Sequence, residues 1–283
     1  MSEFIIRTMS REELNWAIDM AANEGWNPGL HDVDTFYEQD PDGFLVGLLG
    51  NVPIGCISAV GYDGGFGFIG FYIVVPEFRG KGYGIQLWKA AMAKLKGYNI
   101  GLDGVFDQQE NYRKSGFTFQ YSNLRFEYRN KLHGKLEPSP EIKSISSDDL
   151  TEISGYDQLL FPANRDPFLR SWLSMQNSIS LASYKKGQLS GYGTIRLCRT
   201  GYKIGPLFAN DMDVGRLLFR NLCSQVKAGA PIYLDIPEIN EAGIALAQEY
   251  DMLKVFGTAR MYTGEPPNLD LQRVFGVTTF ELG

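Results

Sequence analysis

Short apolar runs rich in β-branched residues alternate along this chain with segments whose apolar positions recur every three or four residues. The first pattern predicts strands and the second amphipathic helices. Phe4 to Arg7 reads as a strand. Ser10, with Glu13 three residues later, reads as a capping box ahead of a helix from Leu14 to Asn23. Pro28 and the glycines between Glu24 and Asp32 end that helix, and Val33 to Gln39 predicts a shorter one. Phe44 to Leu49 and Pro53 to Val60 read as strands joined by a turn at Gly50-Asn51. Gly64 to Tyr72 leads into a strand ending at Ile73, Val74 and Val75, where Pro76 has no N–H to continue the ladder. The next helix carries Ile85, Trp88, Met92 and Leu95 on one face. Asn99 to Phe106 predicts a fifth strand, and Gln108 to Phe117 a short helix closed by Gly116. Thr118–Tyr121 and Asn123–Tyr128 predict a hairpin.

The second half repeats this order. Glu141 to Leu150 aligns with the first strand and cap, Gly187-Gln188 with the hairpin turn, and Gly215 to Phe219 with Gly84 to Trp88. Ile232 to Ile236 matches the fifth strand, and Ala259-Arg260-Met261-Tyr262 matches Leu124-Arg125-Phe126-Glu127. Such a repeat predicts tandem domains of one fold. The expected boundaries are residues 1–132, a Gly- and Pro-bearing linker at 133–140, and residues 141–283. The fold class is α/β (α+β), each domain a mixed, mostly antiparallel sheet flanked by helices.

Composition narrows the function. With 283 residues, 44% of them hydrophobic and 21% charged, the chain has enough apolar material for two packed cores. A net charge of −6 argues against nucleic acid or an anionic membrane as partner. Cys56, Cys198 and Cys223 are scattered and odd in number, which suits buried reduced thiols and a cytoplasmic protein. Two histidines and no paired-cysteine motif leave no metal site.

One stretch reverses the charge balance. From Arg79 to Lys96 there are five cations and no acidic residue, and the stretch opens with Arg79-Gly80-Lys81-Gly82-Tyr83-Gly84 at the start of a helix. Glycines allow close backbone approach, and a helix N-terminus favours anions, so the stretch reads as a phosphate site. It lacks the Gly-Lys-Ser/Thr of a Walker loop and the spacing of a dinucleotide fingerprint. The order strand, Pro, Arg-Gly-x-Gly-x-Gly, helix resembles instead the acetyl-CoA pyrophosphate loop of the GNAT superfamily of N-acetyltransferases. The tandem layout is similar to that of its two-domain bacterial members. At the equivalent place the second half has Asn210-Asp211-Met212-Asp213, whose carboxylates would repel a pyrophosphate. The second copy is therefore expected not to bind CoA.

The resemblance implies transfer of acetyl from acetyl-CoA to a primary amine of a small-molecule or amino-acid-like acceptor. It assigns Ile73, Val74 and Val75 to the pantetheine arm, and Arg79, Gly80, Lys81, Gly82, Tyr83 and Gly84 to the pyrophosphate. Tyr112, in register with Gly116-Phe117, becomes the acid for the leaving thiolate. The base stays open among Asp103, Glu24, Asp34 and His31, with Asp103 placed first as a catalytic candidate. Trp26, Asn27 and His31, in the loop between the first two helices, are the expected acceptor contacts. The alternative function is a regulatory module that binds acyl-CoA without turnover.

Overall fold

The computed structural model describes residues 3–132, 136 and 139–283, so five residues of the expected linker (133–135, 137 and 138) lie outside the described residues. The first half contains β1 (Phe4–Thr8), α1 (Arg11–Asn23), α2 (Asp32–Gln39), β2 (Phe44–Leu49), β3 (Val52–Tyr62), β4 (Phe66–Val74), α3 (Tyr83–Lys94), β5 (Asn99–Val105), α4 (Gln109–Lys114) and β6 (Thr118–Arg129). The same order follows as β7 (Ile142–Ser144), α5 (Leu150–Asp157), α6 (Asp166–Leu173), β8 (Ser178–Lys185), β9 (Gln188–Leu197), β10 (Tyr202–Ala209), α7 (Met212–Cys223), β11 (Pro231–Pro237), α8 (Glu241–Glu249) and β12 (Leu253–Tyr262). A last short strand, β13 (Val274–Gly276), has no counterpart in the first half. No helix among the described residues is long and apolar enough to cross a membrane.

Local chemistry accounts for the element starts. The Ser10 hydroxyl accepts from the Glu13 N–H, and the Glu13 carboxylate accepts from the Ser10 N–H, closing the expected capping box. Arg7 grips Glu13 from β1 and holds that carboxyl down to about 2. The buried face of α3 is Leu87, Trp88 and Ala91, continued by Leu95. Ile85, expected on that face, is instead exposed, because it lies about 100° round the helix from the centre of that buried stripe. The expected hairpin at Tyr121–Asn123 is also absent. Asn123 lies wholly buried in mid-strand, its amide donating to Asp103 at 2.7 Å, and β6 runs straight through.

That straight strand changes the architecture. The sheet order is β1-β2-β3-β4-β5-β12-β6-β11-β10-β9-β8-β7, with β13 pairing β10. Each half thus sends its sixth strand to the other: β12 pairs with β5 and β6 with β11, both antiparallel. Among the described residues three buried ion pairs cross between halves, Arg260–Asp103, Arg125–Asp235 and Arg196–Asp32. The cores mix too. Trp172 of α6 stacks on Phe36 of α2, and Phe161, Tyr262 and Leu282 join the core under α1. Breaking one partner of such a pair costs about 3–5 kcal/mol, because the other charge is left buried.

Candidate active site

Strands β4 and β5 run parallel, paired only from Phe66–Asn99 to Ile69–Leu102. Beyond that point they part. Phe71 takes a φ of 47° and is buried against Phe36 and Phe44, while the register between β3 and β4 shifts between Cys56 and Ser58. A bulge of this kind bends its strand and re-aims it. β5, meanwhile, follows β12. The opened wedge is a cavity of about 590 Å³, walled by Tyr72, Ile73 and Val74 on one side and Asp103, Gly104 and Val105 on the other. Its mouth is the glycine loop and the first turn of α3, with Gly80, Gly82, Gly84 and Ile85.

The loop is built for close approach. Gly80 and Gly82 have φ of 73° and 83°, and a Cβ at either would meet nothing within 4 Å. Gly82 is the N-cap of α3, whose first turn carries no acidic residue. Gly84 is small for a different reason, since a Cβ there would lie 2.8 Å from the Tyr72 hydroxyl. Arg79 does not point freely at the site: its Nε donates to the Val74 carbonyl at 2.7 Å, and Nη2 pairs with Glu24. It braces loop to strand. Lys81 lies over the Phe78 ring. Of the three strand residues expected at the arm, Ile73 and Val74 line the cavity. The Val75 N–H is bonded to the Ile54 carbonyl on β3 at 2.9 Å.

Tyr112 lines the inner wall, packed on Trp88 at 5.5 Å between centroids and against the Cα of Gly104, where any Cβ would collide with its ring. Burial pushes its hydroxyl up to about 12, and nearby Tyr72 adds to the shift. A phenol so shifted keeps its proton at neutral pH and holds it until a stronger base appears.

The other expected residues divide. Trp26 lines the cavity. Asn27 and His31 do not: Asn27 exchanges two hydrogen bonds with the backbone of Thr200, and His31 bonds Asn177 at 3.0 Å, so both fasten the α1–α2 loop to the second half. Asp103 reaches the cavity, but Arg260 holds its two oxygens at 2.9 and 2.7 Å and Asn123 adds a third bond. Those three bonds tie the carboxylate to β12 and β6, and its position makes it a brace between β5 and β12. Glu24 is paired with Arg79, and Asp34 with Arg11 on the exposed side of α1.

The expected site residues all lie in the first half, yet Phe256, Thr258, Phe280 and Glu281 of the second half also line the cavity. Phe280 and Glu281 arrive on a segment that first closes the equivalent wedge in the second half. There β10 and β11 pair in parallel from Tyr202–Ile232 to Ile204–Leu234, then part as β4 and β5 do. β13 fills that gap. Gly276 and Val274 pair with Leu207 and Phe208 of β10, and the Val277 N–H donates to the Asp235 carbonyl of β11 at 2.8 Å. At the start of α7 the Asp211 carboxylate accepts from the Val214 N–H, taking the place an anion would need. The only signal in the sequence was an apolar stretch, Val274 to Leu282, with no counterpart in the first half.

Residues 11–117 match the model of the acetyltransferase (GNAT) family, and residues 153–276 that of an acetyltransferase (GNAT) domain. Over 275 residues the chain is 30% identical to a holothin acyltransferase from Pseudoalteromonas sp. (strain SANK 73390), covering 97% of this chain and 92% of the relative. Its backbone resembles that of a putative acetyltransferase from Pyrococcus horikoshii, with a TM-score of 0.82 at 19% identity over 99% and 96% of the two chains. It also resembles a tandem GNAT protein from the clavulanic acid biosynthesis pathway, with a TM-score of 0.63 at 13% identity over 93% and 100%.

Proposed function

The chain belongs to the GNAT acetyltransferase family, and we propose that it moves an acetyl group from acetyl-CoA to a primary amine of a small-molecule or amino-acid-like acceptor. The observation that carries this reading is the wedge between β4 and β5 running without interruption into the glycine loop. An exposed strand edge offers peptide groups to the amides of a pantetheine arm, as an added strand would use them. Tyr72, Ile73 and Val74 form that edge. The pyrophosphate then meets the N–H groups around Gly80, Gly82 and Gly84 at the positive end of α3.

The acetyl carbon sits near the Phe71 bulge. The amine nitrogen forms a bond to it, the C–S bond breaks, and the electron pair leaves on sulfur. Tyr112 supplies the proton that makes the thiol and recovers one from the amine through water. The second half contributes wall and brace but no second cofactor site, since β13 and Asp211 occupy the equivalent places. The similarity to a named acyltransferase at 30% identity supports acyl transfer over binding without turnover. Thiol release from acetyl-CoA with a set of primary amines tests the reading. Amine-dependent release supports it, whereas binding of acetyl-CoA with no release from any amine would favour the regulatory module. The reading is of a cytoplasmic enzyme without a metal.

A further inference from the structure

Opposite the glycine loop the cavity ends in groups from both halves: Trp26 and Phe71 from the first, Phe256, Thr258, Phe280 and Glu281 from the second. Three observations single this end out. Thr258 is 2% exposed, and its hydroxyl has no hydrogen-bond partner among the described residues. A buried hydroxyl left unpaired is costly, and a ligand group can relieve that cost. Glu281 is 3% exposed, and among the described residues the charges around it act on it through space without a hydrogen bond to its carboxylate. Finally, the backbone carrying it is fixed: the Leu282 carbonyl accepts from the Tyr62 hydroxyl at 2.8 Å, and the Leu282 N–H donates to the Thr279 hydroxyl at 3.0 Å. Gly70 on β4 touches the Glu281 backbone so closely that any Cβ would collide with its carbonyl.

Resting on the acetyltransferase reading above, we propose that the segment 277–283 builds the acceptor site. There Glu281 binds the incoming ammonium and takes its proton, and Trp26, Phe256 and Phe280 select an amine on a small aromatic or apolar body. The balance is simple. R–NH3+ gives one proton to the Glu281 carboxylate, which returns it to solvent after the turn. The neutral amine attacks the thioester, and its second proton replaces the one Tyr112 gives to sulfur.

The charges facing Glu281 come from four elements: Lys203 on β10, Arg125 on β6, Arg196 on β9 and Asp32 on α2. Arg196 is tied to Asp32, and Arg125 to Asp235. Among the described residues Lys203 has only the Trp26 carbonyl, at 3.4 Å, and burial lowers its proton affinity. Glu281 is therefore the one carboxylate of this buried group not held by an arginine. Burial raises its proton affinity from the usual glutamate value, against the pull of Lys203, Arg125 and Arg196, which is the direction a proton acceptor needs.

The test compares wild type with Glu281→Gln on benzylamine, phenethylamine, tryptamine and n-propylamine, following thiol release and acetyl-CoA affinity. The expected result is turnover of the arylalkylamines ahead of n-propylamine. In the variant, kcat should fall by about 10²-fold or more, with acetyl-CoA affinity unchanged. Its kcat/KM should also climb only at the higher pH where the free amine itself loses a proton. Equal turnover with an unchanged pH profile would overturn the proposal, and so would preference for n-propylamine. Failure of the wild type to bind acetyl-CoA would instead strike the acetyltransferase reading. Should Glu281→Gln itself lose acetyl-CoA binding, Glu281→Asp decides: it keeps the charge and withdraws the carboxylate by one methylene, and an unchanged kcat there would refute the role.

Discussion

Arg260 on β12 stands directly opposite Asp103 on β5 and bonds both of its carboxylate oxygens, at 2.9 and 2.7 Å. Arg125 on β6 holds Asp235 on β11 in the same register, at 2.6 and 2.7 Å. In both places an arginine on an exchanged strand finds an aspartate on the other half's fifth strand. Asp103→Asn should therefore act mainly on stability, lowering it by about 3–5 kcal/mol as the Arg260 charge is left buried without its counter-ion. Urea unfolding without ligand measures this. An unchanged midpoint with a large loss of turnover would move Asp103 back into the chemistry.

Gly82→Asp should weaken acetyl-CoA binding by at least about 10-fold, roughly 1.4 kcal/mol. Gly82 sits at φ 83°, and a carboxylate there would stand at the N-terminus of α3. Gly82→Ala separates the two causes, because it keeps the backbone strain and drops the charge. Calorimetric titration should place its loss well below that of the aspartate.

Tyr112→Phe keeps the ring packed on Trp88 and removes only the hydroxyl. With that hydroxyl pushed up to about 12, it stays protonated through the neutral range. Turnover should fall about 10²-fold at constant acetyl-CoA affinity. Single-turnover kinetics at saturating acetyl-CoA check this, and equal rates would make Tyr112 a core residue and nothing more.

Stability carries its own signature of Glu281. Its folded-state proton affinity is raised, so its favourable contribution is full below the unfolded carboxyl value. That contribution is lost as pH rises through the higher folded value. The melting temperature of Glu281→Gln minus that of wild type should therefore grow from acid toward neutral pH. A difference constant with pH would mean that the carboxylate titrates normally.

Much of this was legible in the sequence, for physical reasons that also mark where legibility ends. The glycine loop, the capping box at Ser10 and Glu13, and the repeat are local patterns, and the structure places the loop and Tyr112 around one cavity. The strand exchange is not local. The repeat aligned Arg125 with Arg260 and the two fifth strands with each other, but each arginine would face an aspartate with or without the exchange. Only tertiary packing chooses, and Asn123, read as the first residue of the hairpin's second strand, is instead buried in the middle of one continuous strand with its amide on Asp103. Asn27 and His31 share a loop with Trp26, which lines the cavity, yet their own polar ends bond the second half. Glu281 lies 211 positions from Gly70, which it touches, and no periodicity reports such a contact.

On the proposed reading the first half binds the cofactor, while the second has filled its own wedge with β13. Isothermal titration of the full chain with acetyl-CoA should then find one site per chain, and Gly82→Asp should weaken that single site without revealing another. Two sites per chain, or saturable binding undiminished by Gly82→Asp, would contradict it.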